Sequence, residues 1–383
     1  MIGAEEWADH GGSAGRHVRA DVAQLPDGER VVRSLGPSFL TVITRLIGPI
    51  LAVVGMPMSW RASTRPACKQ RQQRTRWCLF VACVLSLHGQ VVHGQASNHK
   101  PHVRMAITID DLPAAGSPVP GWSKSRILNT IADTLRQHQV PQPVGFFNGA
   151  NMDDEPATKE AVEAWLRGGF LLGNHTFSHV SAAAAGAAAF EHDIARDQTV
   201  IVELEQHRSA SSTYFRYPYL ERGQGRDDRR IRRYLAQHKY RVADVSVDFE
   251  DWAFFGAYAR CSAQSDTAAL RALAESYLGY ALSELFWSVD TTARLIGRAL
   301  PQVLLVHANV MTAQMLDELL TEYEHAGVRF IPLREALDDG IYAQAQTHEH
   351  GDTTLVAALI RERHAHTRGS VLLPESLLDA LCR

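Results

Sequence analysis

Val103-Arg-Met-Ala-Ile-Thr-Ile109 is a β-rich run with one charge inside it, and Asp110-Asp-Leu-Pro113 follows at its end. Asp and Pro end regular structure, so the run predicts a strand that delivers two adjacent carboxylates at its tip. Gly169-Phe-Leu-Leu172 is a second strand-like run, and it leads through Gly173-Asn174 to His175-Thr-Phe-Ser-His179. One carboxylate and two imidazoles can bind a divalent metal, and the spare carboxylate beside them can activate water. That is the equipment of a hydrolase.

Outward from these two runs, strand and helix alternate. Ser125–Gln139 places Ile127, Leu128, Ile131 and Leu135 at helical period, Val144–Phe147 is the next strand, and Pro156 opens a helix through Leu166. The alanine-rich stretch after Ser181 favours helix, is interrupted at Gly186, and continues into Phe190–His207. Thr213–Arg216 is a strand leading to Tyr217-Pro218-Tyr219, Asp228–Gln237 a basic helix, and Arg241–Val247 a further strand. Helices are expected over Leu270–Phe286, Thr291–Leu300 and Thr312–His325, and strands over Val303–Val306 and Val328–Ile331. Arg334–Leu337 is a last short helix, and the polar, His-rich tail after Gly340 (His348, His350, His364, His366) is expected to be an appended loop and helix.

Short apolar strands separated by helices predict an α/β architecture with a parallel sheet. The chemical residues Asp110, Asp111, His175, His179, Tyr219, Asp251 and His307 all follow strands. Strand C-termini form the active face of a (β/α) barrel, and a doubly wound open sheet places such residues similarly. No phosphate loop or dinucleotide fingerprint is present, so no nucleotide cofactor is expected.

The chain has 383 residues with 39 basic and 42 acidic side chains, a formal net charge of -3. That balance gives no sign of nucleic-acid binding. Arg61, Arg65, Lys69, Arg71, Arg74 and Arg76 form a basic stretch, followed by the short apolar run Trp77–Leu87 and by Gly94-Gln95-Ala96. This has the form of a signal peptide, so residues 58–96 are expected to be removed, leaving a secreted or periplasmic protein beginning near Ser97. If the leader stays uncleaved, the enzyme is membrane-tethered. On the signal-peptide reading Met58 is the expected natural start, and residues 1–57 are expected to be an extension without structural role. The alternative is a membrane-associated helix over Phe39–Val54, although Arg45 and Pro49 interrupt it. Cys261 and Cys382 remain after the leader, which permits at most one intramolecular disulfide and no cysteine zinc site.

Each element has a plainer reading. An isolated pair of histidines four apart is more often not a ligand pair, and the absence of Glu after His175 argues against the helical metalloprotease motif. Asp110-Asp111-Leu-Pro taken alone is a strand-ending turn, His307 a satisfied core histidine, Arg216 the partner of a surface carboxylate, and Trp252 core packing. Adjacent residues on a strand point to opposite faces, which suggests Asp111 as metal ligand and Asp110 as the general base.

The five segments in order resemble the polysaccharide deacetylases, the NodB-homology carbohydrate esterases of family 4. Thr108-Ile-Asp110-Asp111 resembles the first motif of that family and His175-Thr-Phe-Ser-His179 the second. Arg216-Tyr-Pro218-Tyr219, Asp248-Phe-Glu-Asp251-Trp252 and Leu305-Val-His307 resemble the third, fourth and fifth, and Phe146-Phe147-Asn-Gly149 resembles the segment between the first two. The resemblance spans Val103 to about Leu337. It implies a distorted (β/α) barrel of about seven strands over residues 97–340, with residues 341–383 as a C-terminal tail.

The resemblance also implies roles. Asp111, His175 and His179 would be the metal ligands, Asp110 the base and His307 the general acid. Arg216 would hold Asp110, Asp251 would orient and tune His307, and the backbone N–H of Tyr219 would stabilise the oxyanion. Trp252 and Leu305 would wall the acetyl pocket. This chain departs from the commonest pattern at Leu112, where many members have glycine. It also carries a long helical insertion, about 253–300, with Tyr258, Tyr277, Tyr280, Phe286 and Trp287, expected as a rim or lid beside the sugar groove.

The expected activity is metal-dependent N-deacetylation of an acetylated glycan such as a chitin oligomer or peptidoglycan, releasing acetate. The alternatives are O-acetyl xylan esterase action, hydrolysis of a small cyclic amide or formamide, and a catalytically inactive carbohydrate-binding barrel. A single ion is expected, zinc first, with cobalt, nickel or iron also suited to two histidines and a carboxylate.

Overall fold

The computed structural model describes residues 103–206, 213–345, 353–367, 369–371, 373 and 375–383. The leader, the Met58 start, the Phe39–Val54 run, the Ser97 mature start and tail histidines His348 and His350 lie outside the described residues.

Seven strands form one sheet: β1 (Val103–Leu112), β2 (Val144–Phe147), β3 (Leu171–Asn174), β4 (Tyr214–Phe215), β5 (Arg241–Val242), β6 (Gln302–His307) and β7 (Val328–Phe330). Their order is β5-β4-β3-β2-β1-β6, with β7 against the start of β1, and every pairing is parallel. Beyond β5 the chain crosses to the far end of that order, where Val247 bridges Leu304 in parallel. Val247 N–H donates to Val303 O and Leu305 N–H donates to Val247 O, at 3.1 and 3.0 Å. This contact joins the two ends of the sheet, so the architecture is a distorted (β/α) barrel and not a doubly wound open sheet.

Strands buried on both faces carry near-continuous apolar sequence, and β2 and β6 do so. Phe146, Phe147, Val303, Leu304 and Val306 are fully buried, each such side chain contributing about 1.5–3 kcal/mol. Around the sheet lie α1 (Lys124–Gln137), α2 (Pro156–Arg167), α3 (Ala182–Ala185), α4 (Ala187–Leu204), α5 (Gly225–Gln237) and α8 (Val310–His325). Gly186, at φ 72°, separates α3 from α4, the interruption expected there. Among the described residues no helix is long and apolar enough to cross a membrane.

Besides β5, which covers only Arg241–Val242 of the strand expected over Arg241–Val247, three expectations change. First, β1 does not end at the aspartates but continues to Leu112 through an irregularity in its pairing with β2 between Ile109 and Leu112. Second, the insertion is α6 (Phe254–Ala263) followed by one unbroken helix of 30 residues, α7 (Thr267–Ile296), where two helices were expected. Asp266 caps its start by accepting from Ala269 N–H, and Gly297 ends it. Tyr277 and Tyr280 of α7 are buried core residues and not a rim, while Phe286 is exposed.

Third, the tail is not simply appended. After α9 (Leu333–Leu337) and α10 (Gly340–Ala345), helix α11 (Leu355–Glu362) puts Leu355 and Leu359 into the same core cluster as Ala106, Val144 and Phe146. Helix α12 (Glu375–Ala380) is tied to the insertion. Arg260 donates to the carbonyls of Leu378 and Leu381, and Cys261 and Cys382 form a disulfide.

Candidate functional site

The C-terminal ends of β1, β3, β4 and β6 open on one face of the barrel, and the segment after Val247 joins them there. Asp111 sits inside the β1 irregularity with φ 64°, a left-handed conformation. The regular alternation of a strand is broken at this point. Both aspartates therefore approach the same imidazole: Asp110 Oδ2 and Asp111 Oδ1 lie 3.6 and 3.7 Å from His175 Nε2. The expectation that neighbouring aspartates face apart fails because the bulge turns the second one back.

His175 continues directly from β3, and the loop to His179 is a tight turn with Thr176 and His179 at φ 60° and 52°. His179 Nε2 stands 3.5 Å from Asp111 Oδ1. One atom from each of Asp111, His175 and His179 fits within 4.8 Å of the others, and among the described residues no other such group occurs. Tetrahedral ligands about 2 Å from a common ion stand roughly 3.3 Å apart, close to the spacing here.

The donor chemistry fits as well. His175 Nδ1 lies 2.9 Å from the Arg216 carbonyl, an arrangement in which Nδ1–H donates and Nε2 keeps its lone pair toward Asp111. Burial holds His175 well below the ordinary histidine range, and burial also lowers His179. Both imidazoles are thus neutral near pH 7, as ligands must be. Asp111 Oδ1 is buried with no hydrogen-bond partner, a costly condition that a cation would relieve.

Arg216, at the end of β4, is 1% exposed. Its Nη1 donates to Asp110 Oδ1 at 2.7 Å and to Thr108 Oγ1 at 2.8 Å, and its Nε donates to Ala243 O at 3.0 Å. The guanidinium also lies over the Phe146 ring at 4.3 Å. Burial raises the Asp110 carboxyl to about 6, and the charge of Arg216 restrains the rise. Arg216 therefore does not hold Asp110 in the ordinary range, because desolvation outweighs it. The carboxylate is still ionised at neutral pH and more basic than a surface aspartate.

On the opposite side, His307 Nδ1 lies 2.7 Å from Asp251 Oδ1, and His307 N–H donates to Asp251 Oδ2 at 2.9 Å. Burial works against the imidazolium, but the charge and hydrogen bond of Asp251, with help from Asp111 and Asp110, push His307 up to about 10. Asp251 itself is fully buried and accepts from Thr312 Oγ1 at 3.2 Å. Asn309 caps α8 and donates to both His307 O and Thr312 Oγ1.

Tyr219 is also left-handed, at φ 57°, and its exposed ring meets the His179 ring edge-on at 4.5 Å. Trp252 follows Asp251 and is about half exposed, whereas Leu305 is buried on the same strand face as His307. The β1 end and His175, His179, Arg216, Asp251 and His307 are therefore assembled as one constellation, with Tyr219 and Trp252 at its exposed edge.

Several contributors were not singled out from sequence. Asn148 donates to the carbonyls of His175 and Thr176 at 2.7 and 2.8 Å. Thr108 takes the second Arg216 bond, and Phe255 of α6 meets the His307 ring edge-on at 5.9 Å. Thr108 has a signal in its position two residues before Asp110, on the same strand face. Phe255 has none, since only the tertiary path of the insertion brings it there.

The fold is a parallel β/α barrel, and Asp111, His175 and His179 at its strand ends could hold a metal ion. Residues 97–243 match the family model described as polysaccharide deacetylase. The match contains Asp110, Asp111, His175, His179, Arg216 and Tyr219 and stops before Asp251 and His307. No curated protein matches the chain.

Among solved structures, the chain is similar to a family 4 carbohydrate esterase pseudoenzyme from Bacillus anthracis, with 15% identity over 63% of this chain and 67% of that one at a TM-score of 0.42. It is similar to a variant of the peptidoglycan deacetylase PdaC from Bacillus subtilis, with 18% identity, 64% and 97% coverage and a TM-score of 0.41. For a family 4 carbohydrate esterase from Streptomyces lividans, the values are 18%, 61% and 95%, and 0.39.

Proposed function

We propose that this protein is a metal-dependent deacetylase that hydrolyses the acetamide of an N-acetylated glycan to acetate and a free amine. The observation that carries this reading is the Asp251–His307 pair beside the ligand cluster, with a proton held on the imidazole up to about pH 10. An amine leaves an acyl carbon only when its nitrogen is protonated, and a retained proton near the cluster suits that need. An ester releases an alkoxide, which depends on such an acid less.

Asp111, His175 and His179 would hold a divalent ion, zinc first, which when bound polarises the acetyl carbonyl and lowers the pKa of the attacking water. Asp110 takes a proton from water as its oxygen bonds to the acetyl carbon. The N–H of Tyr219 donates to the oxygen on which negative charge develops. His307 then gives its proton to the nitrogen as the carbon–nitrogen bond breaks. Arg216 keeps Asp110 aimed, Asp251 does the same for His307, and Trp252 and Leu305 border the acetyl methyl. All polar roles are filled, which disfavours a binding module without turnover.

The leader-like N-terminal sequence supports the further proposal that the substrate is a wall or extracellular glycan. The test of function is acetate release from N-acetylated chitin oligomers, peptidoglycan and acetylxylan under one set of conditions. Faster release from the N-acetylated substrates is expected. Release from acetylxylan alone would replace the amide reading with the ester one.

A further inference from the structure

Helix α4 contributes no candidate ligand, yet it grips the loop that carries both histidines. Asp193, Arg196 and Asp197 are spaced i, i+3 and i+4 and so share one helix face. Asp193 accepts from Ser178 twice, from N–H at 2.8 Å and from Oγ at 3.1 Å, and its own carbonyl accepts from Phe177 N–H at 3.2 Å. Asp197, fully buried, accepts from Gly149 N–H at 2.8 Å. The Arg196 guanidinium lies 3.5 Å over the Phe177 ring. That ring in turn fills the space beside Gly149, where a Cβ would stand 2.4 Å from Phe177 Cδ2.

The loop requires such a grip. Thr176 and His179 both adopt positive φ, a conformation that costs a β-branched residue in particular. Left to local preference, the turn would relax and separate the two imidazoles. Asn148 and Asn174 fix Thr176 from the strand side, and α4 fixes Phe177 and Ser178 from the other.

We propose that Asp193, Arg196 and Asp197 are positioning residues that preset the His175–His179 spacing for a divalent cation, so that affinity depends on a helix that never touches it. This rests on the metal-site reading above. Its test is zinc affinity of metal-stripped protein, measured by competition with a chromogenic chelator, beside circular dichroism and the thermal midpoint of the apo form.

Asp193→Ala is expected to weaken zinc binding by about 10–100-fold, the range for residues that orient metal ligands. Asp193→Asn keeps an acceptor for Ser178 N–H and is expected to recover much of the loss. Arg196→Ala, at an exposed position, should fold as wild type and lose affinity to a smaller degree. Glu203→Ala, exposed on the same helix, is the control and should bind as wild type. If Asp193→Ala fails to fold, Arg196→Ala carries the decision.

Unchanged zinc affinity in Asp193→Ala and Arg196→Ala, with both folded, overturns the clamp, as does an equal loss in the Glu203 control. A wild type that binds no zinc removes the metal reading and the clamp together. A wild type that binds zinc but releases no acetate defeats the proposed activity alone.

Discussion

Arg216 donates to Asp110 Oδ1 at 2.7 Å across 106 positions of sequence, and both side chains are almost wholly buried. An ion pair so placed is a poor source of net stability, because both charges lose their hydration. Its consequence is directional: the bond fixes which oxygen of Asp110 is occupied and leaves Oδ2 toward His175.

Breaking that pair from one side leaves a buried carboxylate without its partner. Arg216→Ala is expected to cost about 3–5 kcal/mol in denaturant unfolding. Arg216 is also the main influence restraining the Asp110 carboxyl at about 6 against burial. The acid limb of the pH–rate profile should therefore move to higher pH in the variant, and a limb that stays in place would separate Asp110 from the titrating group.

In the proposed mechanism Asp251 governs the other limb. His307 is raised from the ordinary 6.5 to about 10, so it remains an acid from neutral pH upward and loses its proton only as pH climbs through that window. Asp251→Asn removes the carboxylate charge that opposes burial. The alkaline limb of kcat is expected to move down toward neutrality, and kcat at pH 8 to fall more than KM changes. A profile identical to wild type would place the general acid elsewhere.

Much of this constellation was legible in the chain because strand ends are readable. Asp110, His175, Arg216 and His307 each follow an apolar or β-rich run, and a parallel sheet brings such ends to one face. The convergence of Asp110 and Asp111 was not legible, since period-two alternation predicts opposite faces and only the left-handed Asp111 reverses it. The α4 grip was hidden for a related reason. Asp193 and Asp197 look like ordinary polar positions on an amphipathic helix until the His175–His179 loop folds against them. The single course of α7 was missed because it buries residues on several faces and shows little periodicity.

The disulfide joins positions 121 residues apart and anchors α12 to α6, the helix that carries Phe255 beside His307. Reduction, or Cys382→Ser, is expected to lower unfolding stability by about 2–4 kcal/mol. Guanidinium titrations with and without reductant measure this, and coincident curves would show that the tail is held by packing alone.

Binding of zinc to the folded cluster should stabilise the protein by mass action. At a free zinc concentration about 100 times Kd the gain is roughly 2.7 kcal/mol, visible as a higher thermal midpoint that excess chelator reverses. Replacing Asp111 with Asn should abolish both the rise and the bound metal. A midpoint indifferent to zinc and chelator would contradict the ligand assignment.

The most direct measurement is acetate release by Asp110→Asn alongside its metal content. Asn keeps the shape of the side chain and leaves Asp111, His175 and His179 in place, but it cannot take a proton from water. The expected result is one divalent ion per chain, as in wild type, with acetate release from N-acetylated chitin oligomers lower by about 100-fold or more. Wild-type acetate release from a fully metallated Asp110→Asn variant would contradict the account at its centre.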